Sequence, residues 1–242
     1  MDQDQDQARP SRRAAFVAAG GVFAAGLALA GCGGKPEQKS PGGEVSAVED
    51  LMREHGVLRR ILIVYRETAG WLAAGRTDFD AAALGQAADL FRAFGEDYHE
   101  RELEEQHVFP QLQKAGGPAA ALVPVLLAQH ARGRQATAFV RARCASGRIA
   151  PADAPALGKV LQDFARMYEA HTAFEDTVAF QAWRQSMSDK ERETAGDQFE
   201  KVERSHFAGG GFEMAAGQVA QIEQKLGLAD LARYTAGAVP AP

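Results

Sequence analysis

Four histidines, His55, His99, His130 and His171, are spaced symmetrically about three helix-breaking segments. The midpoint between each neighbouring pair falls on or next to a segment rich in Gly, Pro or Asp: residues 75–78, 116–118 and 147–151. If the intervening segments are helices that run antiparallel, residues equally far from a shared turn lie at the same height. The spacing therefore predicts that the four imidazoles meet at one level of an up-down-up-down four-helix bundle, as metal ligands do.

The distribution of apolar residues is typical of helices throughout. Apolar side chains recur with a period near 3.6 residues, and the alternation expected of a β-strand never persists. Thr77 or Asp78 is expected to cap the second helix. Pro118 suits the first turn of the third helix, and Pro151 and Pro155 suit the opening of the fourth.

Two further helices are predicted after the fourth. Ser188 and Glu191 have the spacing of a capping box, which indicates the start of a fifth helix. A shorter amphipathic helix is expected over residues 212–226, so the fold class is expected to be all-α. The predicted boundaries are an export signal over 1–31, a flexible tether over 32–46, the bundle over 47–186, a helical extension over 187–235 and a disordered tail over 236–242.

The first 31 residues resemble an export signal of the twin-arginine type. Arg12 and Arg13 precede a weakly apolar, Ala/Gly-rich run over residues 14–30. The run ends in Leu-Ala-Gly-Cys, which is similar to the lipobox of bacterial lipoproteins and implies that Cys32 carries a lipid. An uncleaved membrane anchor and a cleaved soluble protein are the alternatives. The run has 17 residues, at the short limit for a membrane span.

Lipidation of Cys32 implies a place outside the cytoplasm, anchored to the inner or the outer membrane. Twin-arginine export carries folded proteins, often with a cofactor already bound, which agrees with a metalloprotein. Only Cys144 then remains as a thiol, so no disulfide is expected within the mature chain. The formal net charge is −5, with acidic and basic residues interspersed, which argues against a nucleic-acid partner.

Carboxylates accompany the histidines. His171 and Glu175 are four residues apart, so both point from the same face of a helix. The segment 99–105 contains four glutamates, so the residues alone leave the second helix's ligand open. Imidazole nitrogens mixed with carboxylates inside a helical bundle favour iron, manganese or zinc over calcium or magnesium.

The sequence resembles the hemerythrin-like family over about residues 47–185. The matching motifs are Met52–Gly56, Tyr98–Glu105, Val108–Pro110, Gln129-His130 and His171–Asp176. The resemblance implies a non-haem di-iron centre inside a four-helix bundle, with two iron ions bridged by carboxylates. The last two helices are similar to the C-terminal extension of some bacterial members.

The resemblance also implies which residues bind the iron ions. Its usual His-x-x-x-Glu spacing would place the second helix's ligand at Leu103, whereas counting back from Phe109-Pro110 indicates Glu104. A single-residue π-bulge would absorb the extra residue. Glu102 and Glu100 remain alternatives to Glu104. The implied set is His55, His99, His130 and His171 as terminal ligands, with Glu104 and Glu175 as carboxylate ligands.

The function implied is binding or sensing of oxygen, nitric oxide or peroxide. The oxygen-carrying members have a second histidine on the third helix where this chain has Arg134. This difference is typical of the branch associated with sensing and with reactive-oxygen and nitrogen chemistry. The alternative is a di-iron enzyme that reduces peroxide or nitric oxide with electrons from an unknown donor, because no flavin, haem or nucleotide motif is present. Iron storage or a structural metal site is a weaker alternative.

Overall fold

The computed structural model describes residues 45–207 and 210–239. Within these ranges the chain forms six helices and one short 3₁₀ turn and has no β-strand, which confirms the all-α prediction. The helices are α1 (Ala47–Ala73), α2 (the consecutive segments Ala81–Leu90, Phe91–Val108 and Phe109–Ala115), α3 (Gly117–Cys144), α4 (the consecutive segments Ala154–Phe174, Glu175–Ala179 and Phe180–Gln185), α5 (Asp189–His206) and α6 (Gly211–Leu226). The 3₁₀ turn covers Leu231–Tyr234. The proposed export signal and Cys32 lie outside the described residues.

Polar side chains cap the starts of α1, α2 and α5. Ser188 and Glu191 form the predicted capping box at the start of α5. The prediction that Thr77 or Asp78 caps the second helix is wrong, because Asp80 does so by accepting a hydrogen bond of 3.0 Å from the backbone N–H of Ala83. Asp80 directly precedes Ala81, the first fully buried residue of α2, so the helix begins where the core begins.

The predicted turns contain glycines in left-handed conformations. Gly75 follows α1 with a φ of 76°, and Gly147 follows α3 with a φ of 70°. A side chain is strained at such angles, so glycine is favoured where the chain leaves each helix. These turns separate the segments that carry the histidines.

Helices α2 and α4 each contain a π-helical segment. The backbone N–H of Phe109 donates to the carbonyl of Glu104, and that of Phe180 donates to the carbonyl of Glu175. Both bonds connect residues five apart instead of four, so each widens the helix beside a glutamate. The sequence predicted a single-residue bulge between His99 and Glu104. The structure has a longer π-helical segment over Phe91–Val108 that includes it.

The helices pack around an apolar core with a polar centre. α4 packs against α1 and α3, and α2 packs against α3. α6 lies against α1 and α2, where Arg60 forms an ion pair with Glu223 and the guanidinium of Arg53 lies 4.0 Å from the centre of the Phe212 ring. No helix in the described ranges combines the length and apolar character needed to cross a membrane.

Candidate metal centre

Four imidazoles from four helices meet inside the core. His55 lies on α1, His99 on α2, His130 on α3 and His171 on α4, and all four are buried. The Nε2 atoms of His55 and His99 are 3.0 Å apart, and those of His130 and His171 are 3.2 Å apart. The histidines therefore form two pairs, each with two ring nitrogens directed at a common point.

Glu104 connects the two histidine pairs from α2. Its Oε1 atom lies 3.3 Å from Nε2 of His99, and its Oε2 atom lies 3.3 Å from Nε2 of His130. One carboxylate oxygen thus faces each pair. This is the arrangement expected of a carboxylate that bridges two ions.

Glu175 approaches the same two pairs from α4. Its Oε2 atom lies 3.5 Å from Nε2 of His55 and 3.0 Å from Nε2 of His171. The π-helical turn that starts at Glu175 begins one turn after His171, so both side chains reach the centre from one helix. Glu175 therefore also contacts one histidine of each pair.

The oxygens of both glutamates are buried without a hydrogen bond. This holds for Oε1 and Oε2 of Glu104 and for Oε1 and Oε2 of Glu175. An uncompensated buried carboxylate costs several kcal/mol, and metal coordination is one of the few ways to offset that cost. The residues present therefore fit a metal group.

The donor atoms of the four histidines and the two central glutamates divide into two overlapping groups, and a third group, formed by Glu100, Glu105 and His130, lies beside them. Each group lies within 4.8 Å, a separation that allows one ion to be coordinated. Glu104 belongs to both groups. Nitrogen and carboxylate donors together suit iron, manganese or zinc. The first group is His55, His99 and Glu104, and the second is Glu104, His130, His171 and Glu175.

Carboxylates orient the two imidazoles of the first pair. Nδ1 of His55 donates to Oδ1 of Asp176 at 2.7 Å, and Nδ1 of His99 donates to Oε2 of Glu54 at 2.6 Å. Asp176 also forms an ion pair with Arg59. With Nδ1 carrying the proton, the lone pair of each Nε2 atom faces the centre, as metal-binding histidines require.

The second pair is oriented by one carboxylate and one neutral amide. Nδ1 of His130 donates to Oε1 of Glu105 at 2.9 Å, and Nδ1 of His171 donates to Oε1 of Gln129 at 2.9 Å. Arg134 holds Glu105 with a contact of 2.5 Å. His171 is thus the one histidine of the four whose ring partner carries no charge.

The charges in the cluster shift its pKa values in opposite directions. Burial opposes protonation of His130, but Glu100, Glu104 and Glu105 outweigh burial and raise its pKa to about 10. Burial, and then the charge on His130, lower the pKa of His171 to about 4. A metal ion bound by this pair therefore displaces a proton from His130 but finds His171 already neutral.

The two central glutamates also differ. Burial and the negative charge of Glu104 raise the pKa of Glu175 well above its ordinary value. Burial has the same tendency at Glu104, but the neighbouring His99 and His130 hold its pKa well below the ordinary value. Two carboxylates this close repel each other, and a bound cation relieves that repulsion.

The structure separates the three glutamates considered on α2. Glu104 points into the cluster, whereas Glu102 accepts a hydrogen bond of 2.9 Å from Gln106 on the exposed face. Glu100 is buried beside the second histidine pair, with its Oε2 atom 3.8 Å from Nδ1 of His130. Its oxygens accept hydrogen bonds of 2.6 Å from the hydroxyl of Tyr168 and 3.1 Å from Arg134. All six residues expected to bind metal are thus brought together, including Glu104 as the first choice on α2.

Sequence reasoning did not assign the residues that orient the imidazoles. Gln129 is adjacent in sequence to His130 but orients His171, and Asp176 is adjacent to Glu175 but orients His55. Each partner serves a histidine on another helix. Adjacency to a predicted ligand was a signal that these residues lie at the centre, but it did not reveal which ring they contact.

Residues 46–183 match the hemerythrin HHE cation binding domain family, and the chain belongs to this family. Membership implies a metal-binding protein with iron as the common metal, in agreement with the His/Glu cluster. The chain is 43% identical over 221 residues to uncharacterised proteins from two mycobacteria, with 86% of this chain and 85% of each relative covered. They are Mb2018 of Mycobacterium bovis, and MT2051 and Rv1995 of Mycobacterium tuberculosis. No solved structure matches the chain.

Proposed function

We propose that this protein is a non-haem di-iron protein that binds or senses oxygen, nitric oxide or peroxide. The observation that carries this proposal is the pair of buried glutamates without hydrogen bonds, each of which contacts one histidine of each pair. Two bridging carboxylates with a pair of imidazoles at each end provide the donors for two ions. The common level of the four rings also supports an up-down-up-down four-helix bundle formed by α1–α4.

The residues of the chain leave room for a ligand. Each ion would have two imidazole nitrogens and oxygens from Glu104 and Glu175, which is fewer than the six donors that octahedral iron takes. When bound, a ferrous pair supplies electrons to a small ligand. The rings of Phe109 and Phe180 stack on His130 and His55, at centroid distances of 5.5 and 5.3 Å, and exclude water from the centre.

A second candidate function is reduction of peroxide or nitric oxide at the same centre. It is favoured by the polar cluster of buried Glu100 and Tyr168 with half-buried Arg134, beside the second histidine pair. Reduction of either ligand consumes protons, and the Tyr168 hydroxyl and the Glu100 carboxylate can hold and pass one while Arg134 keeps Glu100 in place. Such an enzyme would need an external electron donor.

Metal analysis of protein purified from its native host, followed by rapid mixing, tests the proposal. We expect about two iron ions per chain, as a bridged di-iron site requires. Reduced protein mixed with oxygen, nitric oxide or hydrogen peroxide should form a stable adduct if it binds or senses the ligand. Repeated loss of the ligand in the presence of a reductant would favour the enzyme instead. Clearly fewer than about two metal ions per chain would contradict the dinuclear centre.

We further propose that the protein is exported and anchored by a lipid on Cys32. This proposal is supported by Arg12-Arg13, by the apolar run that follows and by the Leu-Ala-Gly-Cys sequence that ends it. The segment 35–43, rich in Pro, Gly and Ser, would serve as the tether.

The Cys32→Ser variant is expected to move from the membrane fraction to the soluble fraction of a host with twin-arginine export. The hydroxyl of serine cannot accept the thioether-linked lipid, so a protein held by that lipid alone is released. Fractionation with immunoblotting measures the change, and Cys144→Ser, which alters the buried thiol of α3, is the matched control. A Cys32→Ser protein that stays in the membrane fraction would indicate an uncleaved membrane anchor. A parent protein found in the soluble fraction would indicate that the signal is cleaved and no lipid is attached.

A further inference from the structure

An apolar cavity of about 180 Å³ opens between α3 and α4 beside the second histidine pair. Its apolar lining consists of Leu122, Val125, Leu126, Ala170 and Phe174. Two polar side chains complete the lining, namely Gln129 and the metal-ligand candidate His171. The cavity therefore adjoins the proposed metal centre directly.

The outer rim of the cavity exposes large apolar side chains. Phe174 and Val125 are each 54% exposed, although Phe174 follows His171 by less than one helical turn. An exposed phenylalanine beside a buried polar site contributes little to the core. Its position instead gives the cavity an apolar mouth that ions and water enter less readily than apolar molecules do.

The size of the cavity indicates what it accepts. An enclosed apolar cavity of roughly 150 Å³ takes up xenon or a molecule as small as benzene. This cavity has a similar volume and is open to solvent at its mouth. Ligand pockets for larger organic molecules begin at roughly 300 Å³. The cavity therefore suits an uncharged molecule of a few atoms.

The histidine at the base of the cavity is also the one with a neutral ring partner. His55, His99 and His130 donate Nδ1–H to carboxylates, which make an imidazole more basic, whereas His171 donates to the amide of Gln129. An ion held by His130 and His171 would thus receive less electron density from its ligands. It is the more electron-poor end of the centre and lies next to the cavity.

We infer that small uncharged ligands reach the centre through this cavity and bind at the ion held by His130 and His171. The inference deepens the proposed function and rests on it. It identifies both the path of the ligand and the end of the dinuclear centre at which it binds.

Blocking the mouth tests the path in the iron-loaded, full-length protein. The Val125→Trp variant should lose xenon from the cavity and bind nitric oxide about tenfold more slowly, with dissociation slowed equally so that affinity is unchanged. The Phe174→Ala variant should accelerate nitric oxide association by opening the mouth. The matched control is Leu127→Trp, which places the same side chain on α3 at a position that is 37% exposed and does not line the cavity.

The infrared N–O stretching frequency of the nitric oxide adduct tests which of the two ions binds the ligand. The Gln129→Glu variant adds charge to the partner of His171 and should lower the stretching frequency, because a more electron-rich iron donates more density to the ligand. The Asp176→Asn variant makes the opposite exchange at His55, on the other ion, and should shift the frequency less than Gln129→Glu does. A shift in Asp176→Asn alone would place the ligand at the other ion.

The results of these experiments distinguish a failure of the inferred ligand path from a failure of the proposed function. If the parent protein binds two iron ions and nitric oxide but takes up no xenon in the cavity, the inferred path is wrong and the proposed function stands. The same holds if Val125→Trp and Phe174→Ala bind nitric oxide at the parent rate. If the iron-loaded parent protein does not bind nitric oxide, oxygen or peroxide, the proposed function is wrong and the path falls with it.

Discussion

The Glu104→Gln variant is expected to bind fewer than about one iron ion per chain, compared with about two for the parent protein. Glutamine keeps the size of the side chain but offers one neutral oxygen where the carboxylate has one oxygen facing each histidine pair. Its amide nitrogen would face the Nε2 atom of His99 or His130 and would bind no cation. Both groups of donor atoms include Glu104, so its loss affects both ions.

Two matched variants on the same helix test whether the effect is specific to Glu104. Glu102→Gln alters a side chain on the exposed face and should leave the iron content unchanged. Glu100→Gln removes the charge that pairs with Arg134 but should leave both ions in place. Iron is measured by elemental analysis and helical content by circular dichroism. If Glu104→Gln retained both ions while Glu102→Gln or Glu100→Gln lost one, the identification of the α2 ligand would be wrong.

The positions of the helices could be predicted because the signals for them are local. A capping box at Ser188 and glycines such as Gly75 and Gly147 act through neighbouring backbone groups, so they can be recognised without knowledge of the fold. The start of α2 could not be placed as well. Thr77, Asp78 and Asp80 are all suitable caps, and the choice depends on which residue meets the core.

The meeting of the four histidines could be predicted from the sequence, because it depends only on their distances from the turns. Equal distances from the turns indicated that the four imidazoles would meet, whereas Glu104 instead of Leu103 was indicated only by the resemblance to the hemerythrin-like family around Phe109-Pro110. The length of the π-helical segment Phe91–Val108 was not predictable, because hydrogen bonds between residues five apart are weak local preferences. Tertiary contacts also decide that Gln129 and not a carboxylate orients His171.

The Gly133→Ala variant is expected to destabilise the protein by about 1–3 kcal/mol, because a side chain on α3 at this position collides with Tyr168 of α4. A Cβ atom on residue 133 would meet the Tyr168 hydroxyl and would lie 2.8 Å from Cζ and 2.9 Å from Cε2 of the same ring. Tyr168 cannot retreat easily, since its ring stacks on Phe164 at 4.7 Å and its hydroxyl donates to Glu100. Each kcal/mol lowers the Tm of a chain of this size by about 2–4 °C, which thermal unfolding measures.

The opposite sign is expected for Gly56→Ala, the matched control on α1. Nothing lies within 4 Å of a Cβ atom there, and alanine in an exposed helical position stabilises by about 0.5–1 kcal/mol relative to glycine. Adding Tyr168→Phe to Gly133→Ala removes the hydroxyl that the new methyl group meets, so the pair should lose less stability than the sum of the two single variants. If the Gly133→Ala protein were as stable as its parent, residue 133 of α3 could not lie in close contact with Tyr168 of α4.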